Sequence, residues 1–216
     1  MKIGVLGTGS VGKTIGAKLV EVGHEVTMGS RSATNEQAAE WAASAGAGAS
    51  HGTFADAAAF GELVFNCTAG TVSLEALGAA GEENLSGKVL VDVANALDFS
   101  QGSPPLVGVT TGGSLGEQIQ LAFPETKVVK ALNTVSANVM VDPSSVPGEH
   151  EIFVCGNDAE AKAQVIDLLQ SFGWPAEHVL DLGEIASARG QEAYVALWVQ
   201  LMGVVGSPTF NIHVAR

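Results

Sequence analysis

The sequence predicts an α/β protein, a Rossmann-type doubly wound and mostly parallel sheet with a small helical carboxyl-terminal part. Three observations carry that expectation. A short apolar strand runs directly into G-x-G-x-x-G near the amino end, apolar runs of strand length alternate with segments of helical period, and the strand-like runs end in small, hydroxyl or amide residues. The 216 residues, 46% hydrophobic and 15% charged, suffice to bury a sizeable core and exclude disorder for most of the chain. The expected division is a dinucleotide-binding domain over 1–142, followed by carboxyl-terminal strands and a helical cap over 143–216.

The first element sets the chemistry. Ile3, Val5 and Leu6 read as a buried strand, Gly7, Gly9 and Gly12 as the glycine turn, and Ile15, Ala17, Leu19 and Val20 as the helix that follows. In a dinucleotide unit Gly7 makes the tight turn, Gly9 admits the pyrophosphate to the backbone, and Gly12 lets the helix pack on its strand. The free amides and positive end of that helix then face the phosphates.

A second strand over His24–Gly29 ends in Gly29-Ser30-Arg31-Ser32, where an NAD site would carry a carboxylate for the ribose 2′-hydroxyl. Here the first acid is Glu36, so Ser30 and Arg31 are expected to read a 2′-phosphate and the cofactor to be NADP. Lys2, Lys13, Lys18 and Arg31 make the amino end locally basic, whereas Lys88 is the single base from Ser32 to Thr126.

Further along, 34–45 reads as a helix with Asn35 at its cap, 47–54 as a weak strand and 55–60 as a helical turn. A strand over 63–67 ends at Cys67, Thr68 and Ala69, a helix follows over 72–80, and a strand over 88–93 ends at Ala94 and Asn95. Residues 98–113, with two prolines and four glycines, read as a mobile cover or substrate loop. Ser114 starts a helix ending before Pro124, and a strand over 127–135 carries Asn133 and Thr134. Strands over 151–155 and 178–182 flank a helix over 159–172, and 184–205 is helical, with Tyr194, Leu197, Trp198, Leu201 and Met202 inward or at an interface. Right-handed crossovers bring every strand's carboxyl end to one edge, which makes Cys67, Thr68, Ala69, Ala94, Asn95, Asn133 and Thr134 candidate lining beside the glycine turn.

The formal charge of −13 argues against nucleic acid or anionic membrane as partner. Cys67 and Cys155 lack a C-x-x-C partner and read as buried small residues, and the five histidines lack metal spacing, so no metal site is expected. With no signal pattern and no membrane-length apolar segment, the expected location is the cytoplasm. Neither a G-x-S-x-G elbow nor paired carboxylates appear on a predicted edge. Hydride transfer fits, because the cofactor carries the chemistry and the protein only positions.

The segments G-T-G-S-V-G-K near the amino end, G-S-R of 29–31, A-L-N-T-V of 131–135, V-C-G-N-D of 154–158 and the closing L-M-G-V-V-G-S-P-T-F-N-I together resemble the NADPH-dependent coenzyme F420 reductases, or F420H2:NADP oxidoreductases. That resemblance implies homodimers in which NADP lies on the Rossmann domain and the carboxyl-terminal part holds the deazaflavin of coenzyme F420 against the nicotinamide. It implies that Thr8, Ser10, Val11, Ser30 and Arg31 contact NADP, that Cys67, Thr68 and Ala69 line it, and that Asn133, Thr134, Val135 and Ala137 lie beside the two rings, with no residue acting as an obligatory acid or base. Family members carry His where this chain has Asn133, which leaves reduction of a flavin or another small acceptor as the second expectation. A non-catalytic NADP-binding sensor is the reading from a different class.

Overall fold

The chain alternates strands and helices in a computed structural model that describes residues 1–98, 100–102, 105–107 and 113–216. Its first half runs β1 (Lys2–Leu6), α1 (Ser10–Glu21), β2 (Glu25–Ser30), α2 (Glu36–Ala45), β3 (Ala49–Thr53), α3 (Phe54–Phe60), β4 (Leu63–Asn66), α4 (Ser73–Ala80), α5 (Glu82–Leu85) and β5 (Val89–Asp92). Two-residue strands β6 (Leu97–Asp98) and β7 (Leu106–Val107) pair antiparallel, then come α6 (Leu115–Ala122), β8 (Lys127–Ala131), α7 (Ala137–Val141), β9 (Ile152–Gly156), α8 (Ala159–Ser171), β10 (Val179–Asp181) and α9 (Ala188–Val205). The expected cover loop over 98–113 thus falls partly on these two short strands, and residues 99, 103–104 and 108–112 of it lie outside the described residues.

Among the described residues the main sheet has eight strands in the order β10-β9-β8-β5-β4-β1-β2-β3. From β3 to β8 all neighbours are parallel, as the alternating pattern predicts. β9 departs from that rule and runs antiparallel to β8. Its connection holds no helix longer than the five residues of α7, and a strand entering the sheet without a full crossover pairs antiparallel.

Alternation along the strands sorts the core into two layers. Ile3, Val5, Leu63, Phe65, Val89, Val91, Val129 and Ala131 point to one face with Ile15, Leu19, Trp41, Val139 and Val165 of the helices. Leu6, Val64, Leu90 and Val128 point to the other, with Ala57, Leu77, Ile119 and Ala188. Asn35, Thr53, Ser114 and Asp158 each accept from the third residue of their helix, at 2.8–3.2 Å. Each such cap contributes about 1 kcal/mol.

One expectation about the second half changes. The strand predicted over 127–135 ends at Ala131, because buried Leu132 takes a left-handed backbone, φ 63°, and turns the chain out of the sheet. A left-handed leucine costs about 1–2 kcal/mol, so the surroundings must impose it. On α9 the buried residues are Ala188, Gln191, Glu192 and Val195, while of the residues expected inward or at an interface Tyr194, Trp198, Leu201 and Met202 are half-buried and Leu197 is 55% exposed.

Arg189 of α9 clasps Glu117 of α6 through Nε to Oε2 (2.8 Å) and Nη2 to Oε1 (2.6 Å), which holds the Glu117 carboxyl down at about 2. A depressed carboxyl pKa contributes stability that is complete above about pH 4.5 and is lost as pH falls towards about 2. Arg189 is largely exposed, so salt screens the contribution. Urea midpoints taken at about pH 5 and about pH 2.5 are expected to differ less in Glu117→Gln than in the wild type; identical differences would deny the pair that role.

Candidate functional site

The amino end of α1 has no side-chain cap. Its N-cap is Gly9, whose carbonyl accepts from Lys13, and the amides of Ser10, Val11 and Gly12 precede the first intrahelical donor. The three glycines divide the work as the motif requires. Gly7 has φ +118°, and a Cβ there would stand 2.7 Å from the Cys67 carbonyl oxygen. A Cβ on Gly12 would stand 2.1 Å from the Gly7 carbonyl oxygen, so the helix touches its strand there. A Cβ on Gly9 would meet nothing within 4 Å. Gly9 therefore faces open space, where a ligand can approach the backbone.

Two depressions flank this turn and share Cys67, Thr68 and Ala69 as their common wall. The first, about 410 Å³, is lined by Gly7, Thr8 and Gly9, by Ser30, Arg31 and Asn35 past the end of β2, and by an apolar side of Phe54, Val72, Ala76 and Ala79. Arg31 is its cation and Glu75 its anion. The second, about 530 Å³, is lined by Ser10, Val11, Thr71, Val93, Ala94, Asn95, Leu97, Asn133, Val135, Ser136, Ala137 and Met140. Strand ends far apart in sequence thus form one cleft across the carboxyl edge of the sheet, the place where an open α/β sheet binds ligands. Two predicted residues stand behind this surface rather than on it. Gly12 is buried under the turn, and Thr134 is 2% exposed with its hydroxyl unpartnered.

The amino-terminal basic island does not gather at the turn. Lys18 pairs with Glu21 at 2.7 Å, Lys2 lies over the Phe60 ring, and Lys13 lines a separate groove on the outer side of α1 with Lys18, Glu21 and Asp142. Arg31 alone of the four lines the cleft. The Ser30 hydroxyl is already engaged, donating to the Ser32 carbonyl at 2.6 Å, and so shapes the turn that presents Arg31.

Asn95 and Asn133 clasp each other at the far end. Asn95 Nδ2 donates to the Asn133 carbonyl at 2.7 Å, which fixes the amide so that Asn95 Oδ1 accepts from Asn133 Nδ2 at 3.0 Å. Asn133 Oδ1 is left buried and without a partner beside the second depression. An orphaned acceptor costs about 1–3 kcal/mol unless a donor arrives, so a ligand amide N–H there would be complementary. Cys67 is the titratable side chain of that depression among the described residues; burial first and the Asp92 charge second push its thiol far above the usual range, so it stays protonated.

Beneath the floor lies a polar cluster that sequence reasoning missed. Lys130 Nζ, 0% exposed, donates to Asp92 Oδ2 (2.8 Å), to the Ala94 carbonyl (2.6 Å) and to Glu192 of α9 (2.8 Å). Asp92 Oδ1 accepts from the amides of Asn66 and Ala94, while Glu192 accepts from the backbone amides of Leu115 and Gly116 at the start of α6. Asn66 Oδ1 in turn accepts from the Thr68 hydroxyl at 2.7 Å. Burial opposes the charge on Lys130, but the two carboxylates overcome it and raise its pKa. The available signal was a lysine between Val129 and Ala131 and an acid closing the apolar run Val89–Val91, two charges in strands otherwise buried on both faces. The histidines are also less scattered than their spacing suggests, since His178 and His213 both approach Glu151, at 3.7 and 3.0 Å, away from the cleft.

A family model described as NADP oxidoreductase, coenzyme F420-dependent, matches residues 2–96. The fold superimposes with a TM-score of 0.94 on a crystal structure from Arthrobacter sp. FB24, a candidate F420-dependent NADP-reductase, at 50% identity over 100% of both chains. The F420-dependent NADP reductase of Methanocaldococcus jannaschii is 34% identical over 56% of this chain and 53% of its own, and the metalloreductase STEAP3 of Rattus norvegicus is 28% identical over 89% of this chain and 36% of its own. The chain thus spans about a third to a half of the length of these two curated relatives.

The glycine geometry separates folding from binding. Gly12→Ala is expected to lower the melting temperature by about 5 °C or more, since a backbone carbonyl must yield. Gly9→Ala is expected to stay within about 3 °C of the wild type, the most that an N-cap alanine costs. Equal losses in the two variants would contradict the assignment.

Proposed function

We propose that this chain, which belongs to the coenzyme F420-dependent NADP oxidoreductase family, moves a hydride between NADP(H) and the deazaflavin of coenzyme F420. The observation that carries the reading is the continuous cleft from Arg31 to Asn133, with an anion-binding helix end at its middle and an unpartnered amide oxygen at its far end. These features fit the cofactor half by half. The free amides of Ser10 and Val11, with Thr8, hold the pyrophosphate, while Gly12 lets the helix pack closely beneath them. Arg31 reads the 2′-phosphate, and the apolar side around Phe54 and Ala76 takes the adenine. Cys67, Thr68 and Ala69 support the middle of the cofactor, and Ala94 and Asn95 border the nicotinamide. Asn133 Oδ1 accepts from the carboxamide, which fixes which ring face is presented. Val135 and Ala137 supply the apolar border against which a second flat ring can lie, with Thr134 supporting them from behind.

When bound, NADPH supplies the hydride, and the oxidised deazaflavin takes it together with one proton. The protein's contribution is alignment and exclusion of water. The lining of the second depression offers no ionised acid or base, because the Cys67 thiol remains protonated, so no side chain need exchange a proton with the reacting carbons. The carboxyl-terminal part, 143–216, is read as completing the acceptor side and joining two copies into a cytoplasmic homodimer. Exposed Leu197, Val204 and Val205 on α9 support that assembly, and no helix among the described residues is long and apolar enough to cross a membrane.

Mixing protein, NADPH and oxidised coenzyme F420 is expected to bleach the deazaflavin band catalytically. No change with coenzyme F420, but turnover with FMN or FAD, would transfer the reading to a flavin acceptor, and NADPH binding without turnover on any of them would favour a sensor. Arg31→Ala is expected to weaken NADPH by about 10- to 100-fold while leaving NADH nearly unchanged, the loss of a charge-assisted contact. Equal weakening of both in binding titrations would mean that Arg31 does not read the phosphate.

A further inference from the structure

We propose that Lys130 is a positioning residue for the nicotinamide half of the cleft, acting through the Ala94–Asn95 backbone on Asn133; the proposal rests on the cofactor reading above. The ammonium is fully buried and has three protons and three acceptors, Asp92 Oδ2, the Ala94 carbonyl and Glu192 Oε1, at 2.6–2.8 Å. Asp92 Oδ1 takes the Ala94 amide at 3.2 Å, so the lysine and its aspartate hold Ala94 by both of its backbone polar groups. The next residue, Asn95, orients the Asn133 amide through the two reciprocal bonds, and its carbonyl accepts from Gly70 at 3.1 Å. The two loops meet so closely that a Cβ on Gly70 would stand 2.4 Å from the Asn95 carbonyl carbon. The direction of Asn133 Oδ1 is therefore set two residues beyond the clamp that Lys130 closes.

Stability gives a poor reason for this lysine. A buried ion cluster is often matched or exceeded in stability by apolar residues of similar volume, and it costs a folded protein dearly only when one partner is removed. What an apolar side chain cannot supply is a directional bond to the Ala94 carbonyl. The sheet register puts Asp92 beside Lys130, and Asp92 Oδ1 also accepts from Asn66, whose own oxygen accepts from Thr68 on the shared wall of the cleft. One cluster thus governs both borders of the second depression.

The test uses the whole chain and two probes, NADPH and adenosine 2′,5′-bisphosphate, which lacks the nicotinamide. Asp92→Asn keeps the Lys130–Glu192 pair and the shape of the site but turns an amide donor towards the ammonium; Lys130→Met removes the clamp outright. In variants that remain folded, the bisphosphate is expected to bind within about twofold of wild type, while kcat falls by about 10- to 100-fold, the scale of a misplaced reacting group. Asn95→Ala is expected to reproduce that loss while still binding the bisphosphate within about twofold of wild type, and the Asp92→Asn/Asn95→Ala double variant to be no worse than Asn95→Ala alone, since the two act in series. Equal weakening of both probes, unchanged kcat, or additive losses in the double variant would overturn the proposal. If Lys130→Met does not fold, Asp92→Asn and the double variant decide. Wild-type protein that binds the bisphosphate but not NADPH would sink the cofactor reading and this proposal with it, whereas normal wild-type binding with unselective variants would sink the proposal alone.

Discussion

The interaction on which the rest of the structure depends is the buried ammonium of Lys130. Taking an ion out of water costs several kcal/mol even after relaxation, and a second and third ion add to that cost. The cluster is tolerated because every proton of the lysine has an acceptor and both carboxylates receive backbone or amide donors besides. Two of those donors are the free amides at the start of α6, whose positive helix end offsets the second negative charge. Satisfying one charge therefore requires β5, β8, α6 and α9 to meet in one arrangement, with β4 attached through Asn66. A sheet edge built this way cannot slide.

That rigidity sits where the cleft needs it. On one side of the shared wall the cleft is made by absence, with glycines that remove side chains and a helix end that leaves amides unpaired. On the other side it is made by polar groups held in fixed directions, Asn95 and Asn133 above the lysine cluster. The first half offers backbone amides and the Arg31 cation, and the second offers fixed amide groups. A site with this division is suited to a reaction whose bond changes belong to its two substrates. The strained backbone of Leu132 lies between the cluster and Asn133, where the strand must turn abruptly into the cleft.

Much of this was legible in the chain. The glycine turn could be read because three positions, each with a different steric demand, fall at fixed spacing between an apolar strand and a helical period. The strands were legible because apolar runs bounded by glycine and small residues have one stable use in an alternating α/β chain, and Ser114 and Asn35 announced their helices by cap chemistry. The place of Arg31 in the cleft was legible because it directly follows β2, at the carboxyl edge of the sheet. The antiparallel entry of β9 was not, since strand direction depends on the path of the connection and leaves no mark on the apolar pattern. Nor was the inert position of Lys13 and Lys18, because charge counted along a sequence does not say which face of a helix carries it.

The sequence by itself determined the fold class, the location of the glycine turn and the set of strand ends that border the cleft, all of which follow from local sterics and periodicity. Tertiary structure alone decided which of those residues reach the surface, which amide oxygen is left without a donor, and which charges are buried together. The physical reason is one of range. A glycine's freedom and a strand's alternation are properties of neighbours in the chain, whereas the partners of Lys130 lie on separate elements, and only the closed sheet with α6 and α9 packed on it brings their charges within bonding distance.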